Sequence, residues 1–452
     1  MSDNTQQNSL NQPINTLAEA LKSGRFLRMR RLLASLHPAE TAHLLESLPP
    51  KERKVCWPII NPDLRGDVLS YLGEDVQADL IQYMDTADLV SATEDLPPDD
   101  VADILQNLPD HVTQQVLNVM DSQHRRRVET ILAYAEDTAG GLMNTDVITV
   151  RSDITLEVVL RYLRMLGELP ENTDSLYVVD HEDHYLGVLA LSQVVSRSRS
   201  FPVSQVMSHQ IKAISANMDE SDVALRFEKH DLISAPVVDK ENHLLGRITI
   251  DDVVDVIRDD AEHTMLSMAG LSEDEDTFAP VKKSVRRRSV WLGVNLITAF
   301  LASWVIGLFE TTIEKQVALA VLMPIVASMG GIAGSQTLTL VIRAMALGQL
   351  NEKNQHWLLH KELAVGALNG VFWAIAIAVV TSFWFNNTEL GMLMGAAIII
   401  NLIAAALAGV MIPLTLKHFG IDPALSGGVL LTTVTDVVGF MAFLGFATLF
   451  IA

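Results

Sequence analysis

"PALSGGVLLTTVTDVVGFMAFLGFATLF", Pro423 to Phe450, is nearly continuous apolar sequence. It exceeds the ~20 residues that carry an α-helix across a bilayer. Asp436 stands near its middle. A carboxylate at mid-membrane costs roughly 3 kcal/mol on insertion scales, so it usually faces a water-filled path or a partner. Helical spacing places Gly428, Thr432 and Gly439 on the face of Asp436. That face is small and polar, with room for water, and these three residues are expected to line a pore. The alternative is a neutral acid bonded to a neighbouring helix.

Working outward, four more apolar runs precede this one, at about 290–309, 317–347, 361–386 and 391–416, with the last at 422–451. A basic run, Lys282, Lys283, Arg286, Arg287 and Arg288, lies just before the first. Arg343, Lys353 and Lys361 fall between the second and third, and Lys417 between the fourth and fifth; the opposite side carries only Lys315. The positive-inside rule therefore puts the N-terminal part in the cytoplasm and the C-terminus outside. The second run holds Pro324 and the glycines 330, 331 and 334. These predict a break or a close helix–helix approach.

Charge divides the 452-residue chain. Residues 1–280 hold 23 basic and 48 acidic side chains, whereas 281–452 hold ten and seven. The front is an acidic soluble body that repels nucleic acid and anionic lipid and attracts cations. The start, "MSDNTQQNSLNQ", is polar, with no basic-then-apolar leader pattern. Cys56 is the only cysteine, so no intrachain disulfide forms.

Residues 1–135 read as an all-α, acidic, superhelical domain. "LHPAETAHLLESLPP" (Leu36 to Pro50) and "LPPDDVADILQNLP" (Leu96 to Pro109) look like copies of one helical unit, with Pro in the first turn and Leu closing it. Residues 136–260 change texture. "LYVVD" (Leu176 to Asp180) and "APVVD" (Ala235 to Asp239) are β-rich runs, followed by "LGVLALSQVV" and "LGRITIDDVV". This is a duplicated β-α-β-β-α unit, which resembles a tandem pair of CBS domains. Residues 261–289 form a connecting helix with the acidic stretch "LSEDEDTFAP", and 290–452 a five-helix transmembrane domain.

The order of these parts resembles the MgtE magnesium channels along nearly the whole chain. The likeness rests on "WLGVNLITAFLASWVIGLFE" (Trp291 to Glu310), the Pro324 to Gly348 stretch and "DPALSGGVLLTTVTDVVGF" (Asp422 to Phe440). It implies a homodimer in a bacterial inner membrane, with a pore between subunits in which Asp436 holds hydrated Mg2+. It also implies regulatory Mg2+ sites at Asp99, Asp103, Asp219, Asp231, Asp252 and Asp255, with Asp259, Asp260 and Glu262 near the places where family acids are replaced by His263 and Thr264. The CBS pair is a place for ATP. One departure stands out: the family's Gly-Gly-Asn reads Gly330-Gly331-Ile332 here.

The residues themselves fit this chemistry. Mg2+ is hard and sheds water reluctantly, so a conducting site should be wide, oxygen-lined and modestly charged. Mn2+, Co2+ and Ca2+ fit similar oxygen ligands. In the front, Asp99 and Asp103 share a helix face, as do Asp252, Asp255 and Asp259, and like charges at such spacings destabilise an isolated helix. They are either a solvated surface or ligands that a cation bridges. No G-x-x-x-x-G-K-[ST] stretch or nucleophile motif occurs, so no enzyme is expected. His37, His43, His124 and the other histidines show no metal-site spacing and read as surface or packing residues. Two rivals remain: a carrier coupling Na+ or protons to a divalent metal, and a membrane-anchored nucleotide sensor.

Overall fold

A computed structural model describes residues 16–450 apart from 18, 22, 24, 95, 171, 272–275 and 352. The polar N-terminal dozen and residues 272–275 of the acidic connector stretch lie outside the described residues. The chain divides into two units, residues 1–261 with 274–280, and residues 262–273 with 281–452.

The first unit opens with short helices from Phe26–Leu33 to Ser122–Ile131. The repeated motif is visible as Pro38–Glu46 and Pro98–Gln106, two helices of equal length that each begin on proline. Proline suits that position because its missing N–H would be unbonded anyway. Leu44 and Leu45 in one helix, and Ile104 and Leu105 in the other, occupy matching positions and are all buried. His37 caps the first helix: its ring accepts from the Ala39 N–H, and Glu40 accepts from the His37 N–H.

Arg53 is 1% exposed and forms a bidentate pair with Asp276, Nη1 to Oδ2 at 2.6 Å and Nη2 to Oδ1 at 2.8 Å. Its Nε and Nη2 also donate to the carbonyls of Leu45 and Glu46. The helical part thus grips the segment just ahead of the first span. Breaking a buried pair by removing one partner costs about 3–5 kcal/mol, because the other charge stays buried. Arg53→Leu should therefore lower the stability of this unit by about that amount, read as thermal unfolding of the full-length protein in detergent. A loss under about 0.5 kcal/mol, typical of an uninvolved surface site, would show the pair to be incidental.

Two small sheets follow, each with one parallel and one antiparallel pairing. Strand β1 (Thr149–Arg151) pairs parallel with β2 (Ser175–Val179), which pairs antiparallel with β3 (Tyr185–Ala190). Strands β4 (Ile214–Ser215), β5 (Ser234–Val238) and β6 (Leu244–Thr249) repeat the pattern. The register slips between Val178 and Val179, and again between Val237 and Val238, at the same place in each copy. Both central strands are buried along their length, which explains their β-branched composition. The expected duplication is present.

The second unit holds five helices long and apolar enough to cross a membrane, Val281–Gly307, Ala318–Ala346, Gln355–Phe385, Thr388–His418 and Pro423–Phe450. The fourth is central, packing on the second, third and fifth, whereas the first packs mainly on the fifth. Apolar side chains on the outer helices, such as Phe300, Trp304 and Phe383, are exposed.

Two expectations are corrected, and a third, left open between a helix break and close packing, is decided for packing. The first helix begins at Val281, so the basic run lies on it rather than ahead of it; Lys and Arg are good helix formers, and nothing there interrupts the backbone bonding. The connector expected as a helix over 261–289 is instead a helix over Ile250–Ser267 continuous with the second β-α repeat, then turns. Pro324 does not break the second helix, which runs unbroken through Ala346. The glycines serve close packing instead: a Cβ on Gly330 would lie 2.3 Å from Asn401 Nδ2, and one on Gly334 would lie 2.8 Å from Leu431.

Candidate metal centres

In the second unit, the fifth helix carries the carboxylate singled out by sequence. Asp436 is half-buried and makes no hydrogen bond or ion pair among the described residues. Thr432, one turn earlier, is exposed, and its hydroxyl donates to the Gly428 carbonyl at 2.9 Å. Gly428 opens onto free space, with no atom within 4 Å of where a Cβ would stand. Three of the four expected pore residues therefore share an open, oxygen-bearing face.

Gly439 does not belong to it. It is buried, and a Cβ there would lie 2.7 Å from Asn401 Nδ2 and 2.9 Å from Val326. Its lack of a side chain serves helix contact rather than the open face. Asn401, which the sequence reading passed over, is fully buried between Gly330 and Gly439 and donates to the Val326 carbonyl at 2.8 Å. A lone Asn in an apolar helix was its available signal. Ile332, at the place of the family's Asn, is 57% exposed.

A second carboxylate among the spans behaves differently. Glu362 in the third helix is buried, but Lys361 Nζ lies 2.5 Å away and the Thr337 hydroxyl donates at 3.1 Å. Its charge is matched inside the chain, whereas Asp436 has no such partner among the described residues. At the cytoplasmic-side loop expected from the charge pattern, Asp422 caps the fifth helix, accepting from Ala424 N–H at 2.9 Å and Leu425 N–H at 3.1 Å. His263 Nε2 lies 3.2 Å from its Oδ2, so the Ile250–Ser267 helix touches the cap of the helix that bears Asp436.

In the first unit, acids distant in sequence meet. Asp99 and Asp100 sit in the first turn of Pro98–Gln106, where the helix dipole favours them. Asn144 Nδ2 donates to Asp99 Oδ1 at 3.0 Å, and the Asn144 backbone pairs with Arg247 on β6 in both directions. Gly246 permits that approach, because a Cβ there would stand 2.6 Å from the Asn144 carbonyl oxygen. Just beyond β6, Asp252 Oδ2 accepts from the Thr249 backbone and hydroxyl at 3.2 and 2.9 Å. Asp99 and Asp252 thus face one another across a tied-down segment.

Their titration reflects the crowding. Burial, then Asp100, pushes the Asp99 carboxyl up to about 7. Burial, then Asp252 and Asp67, raises Asp100 to about 7, and burial, then Asp99 and Asp251, does the same to Asp252. Asp103 keeps an exposed edge, yet desolvation by the surrounding protein, then Asp99 and Asp100, holds it well above the usual carboxylate range. A second group surrounds Glu220, raised to about 7 by burial and then by Asp137, Asp260 and Asp219. Asp219 caps that helix through the Ser221 N–H, and Ser221 Oγ donates to Asp260 at 3.3 Å. Asp100, Glu220 and Asp137 were missed by sequence reading; Asp100 and Glu220 each adjoin an acid that was noticed, and the Asp137 carbonyl accepts from the Glu220 N–H at 3.1 Å.

The other expected residues are exposed, although Asp255 still adds to the charge that raises Asp100. Asp255 is 58% exposed and pairs with Arg258 at 3.0 Å, and Asp259 pairs with the same guanidinium at 3.1 Å. Asp231 is an exposed, left-handed helix cap with φ 50° and joins neither acid group. Asn and Asp tolerate that conformation, so the cap accounts for the residue. An open cavity of about 720 Å3 lies among Asn172, Asp174, Ile233, Thr249, Asp251 and Val254.

The model of the MgtE divalent cation transporter family matches residues 323–446, that of the MgtE intracellular N domain 36–137, and that of the CBS domain 139–200 and 203–259. The chain is 30% identical over 440 residues to the magnesium transporter MgtE of Thermus thermophilus, covering 96% of this chain and 97% of the relative. The magnesium transporter MgtE of Bacillus subtilis is 26% identical over 431 residues, 95% and 96% of the two chains. Among solved structures, the cytosolic domain of the Mg2+ channel MgtE in complex with ATP is 32% identical, spans 54% of this chain and 99% of that one, and superposes with a TM-score of 0.49.

Proposed function

Since the chain belongs to the MgtE family of magnesium transporters, we propose that it conducts Mg2+ into the cytoplasm as a homodimeric channel that cytosolic Mg2+ closes. The observation that carries this reading is Asp436, an unmatched carboxylate beside Thr432 and Gly428 on an open face of a membrane-length helix. An anchor needs no such charge, and a structural acid would be matched as Glu362 is. One carboxylate per subunit attracts a hydrated divalent ion without trapping it.

Closure follows from the acids of the cytoplasmic body. Asp99, Asp100, Asp103 and Asp252 are held together against their mutual repulsion. Mg2+ bridging them stabilises the assembled form, and the Glu220 group offers a second such place. A gate requires that the ion bind the closed form better than the open one, and bridging supplies that difference. The cavity beside Asp174 holds three aspartates and no Lys or Arg, so its lining by itself does not fit the phosphates of ATP.

The test is Mg2+ flux into liposomes containing the purified protein. Flux driven by the Mg2+ gradient and membrane potential should persist when Na+ and pH are equal on both sides. A strict requirement for either gradient would replace the channel with a coupled carrier.

A further inference from the structure

Two hairpin turns in the first unit, one from each β-α-β-β-α repeat, carry the same constellation. The turn between β2 and β3 reads Asp180-His181-Glu182-Asp183-His184, and that between β5 and β6 reads Asp239-Lys240-Glu241-Asn242-His243. Asp183 and Asn242 take left-handed φ values of 64° and 70° at the same place. The turns lie side by side, with Tyr185 N–H donating to the Asn242 carbonyl at 3.0 Å and Leu244 N–H to the Asp183 carbonyl at 3.1 Å. The rings of His184 and His243 stack, centroids 4.5 Å apart and 19° from parallel.

In each turn, one oxygen of the aspartate accepts two backbone N–H bonds, from Glu182 and His184 in the first and from Glu241 and His243 in the second. The other oxygen is left 3.0 Å from the imidazole Nδ1 in both. Glu241 joins the second pair, with its oxygen, Asp239 oxygen and the ring nitrogen all within 4.8 Å of one another. Glu182 Oε2 lies 3.8 Å from His184 Nδ1. The 3.0 Å contact is a hydrogen bond; two ligands each about 2.1 Å from a tetrahedral ion stand about 3.4 Å apart. A cation can therefore take the place of the Nδ1 proton if the two atoms part by a few tenths of an ångström.

We propose that each turn binds a divalent transition-metal ion: His243, Asp239 and Glu241 at one turn, His184, Asp180 and Glu182 at the other. The imidazole nitrogen sets the class. Zn2+, Co2+ and Ni2+ accept nitrogen and carboxylate together, whereas Mg2+ prefers oxygen and keeps its waters. These sites share no residue with the acid groups assigned to Mg2+ or with the pore. Because the stacked rings come from different repeats, an ion at one turn fixes a ring that packs on the other, and the pair reports transition metal where the repeats meet.

The experiment uses full-length protein in detergent with Mg2+ in excess, so that oxygen-only sites are filled, and measures Zn2+ bound at equilibrium and protons released. Wild type should take up Zn2+ at both turns, releasing protons. The double variant His184→Gln, His243→Gln should weaken this uptake by more than the roughly 10–100-fold that loss of a supporting partner costs, and His243→Gln alone should remove part of it. Asp180→Asn with Asp239→Asn leaves the stacked rings in place and should weaken Zn2+ uptake likewise, which covers the case in which the histidine variant misfolds. Absence of Zn2+ uptake by wild type, or wild-type uptake by both double variants, would overturn the proposal.

Discussion

Asp436→Ala should abolish Mg2+ flux into liposomes while leaving the protein folded and its association state unchanged. Two unit charges interact at about 4 kcal/mol across 4 Å at an effective dielectric constant of 20, and a divalent ion doubles the charge. Losing even half of that attraction reduces occupancy of the path by at least about a hundredfold, since 1.4 kcal/mol is a factor of ten. Folding is not the casualty, because alanine inserts into a bilayer more readily than aspartate. Among the described residues, Asp436 also holds no partner whose own bonding would be stranded. Asp436→Asn separates charge from shape: it keeps the size and an oxygen and should lose most of the flux as well. Wild-type flux in either variant would remove Asp436 from the ion path. As a comparison, Glu362→Gln removes a charge already matched by Lys361 and Thr337. Its effect should fall on stability before flux.

The second large effect concerns the acids of the cytoplasmic body. Replacing Asp99, Asp103, Asp252 and Asp255 together by Asn should shift the protection of residues 255–285 from limited proteolysis to higher Mg2+ concentration, by about tenfold or more for the loss of several charged ligands. Repulsion falls at the same time, so without Mg2+ the variant should be better protected than wild type. The pH dependence gives an independent reading. Asp99, Asp100 and Asp252 titrate near 7 in the folded body and near 3.9 when unfolded. Between those values the folded form holds more protons than the unfolded one. Without divalent ions, stability therefore falls as pH rises from about 4 to about 7, and levels off above. Mg2+ does the same work as those protons, so half-protection should need less Mg2+ at about pH 8 than at about pH 6. The variant keeps Asp100, whose shift comes first from burial, so both dependences should weaken rather than vanish. Superimposable Mg2+ titrations of variant and wild type would leave these acids as a solvated surface.

What the amino-acid order determined by itself was everything that depends on near neighbours. The membrane-length runs, the doubled β-α-β-β-α pattern and the paired Pro-led helices are written in periodicity, and the structure reproduces each. Hydropathy set helix ends poorly, because Lys282 to Arg288 extend a helix as well as apolar residues do. Tertiary structure alone decided the rest. Gly439 has the spacing of a pore residue, but Asn401 from another helix occupies the space beside it. Asp231 and Asp252 are alike as sequence; one is an exposed helix cap, and the other is carried to Asp99 by the backbone pairing of Asn144 with Arg247. His184 and His243 lie 59 positions apart and stack only because the two repeats set their turns side by side. Periodicity fixes which way a side chain points from its own helix or strand. Which partner it meets there depends on packing between segments remote in sequence, and so does the electrostatic cost of bringing like charges together.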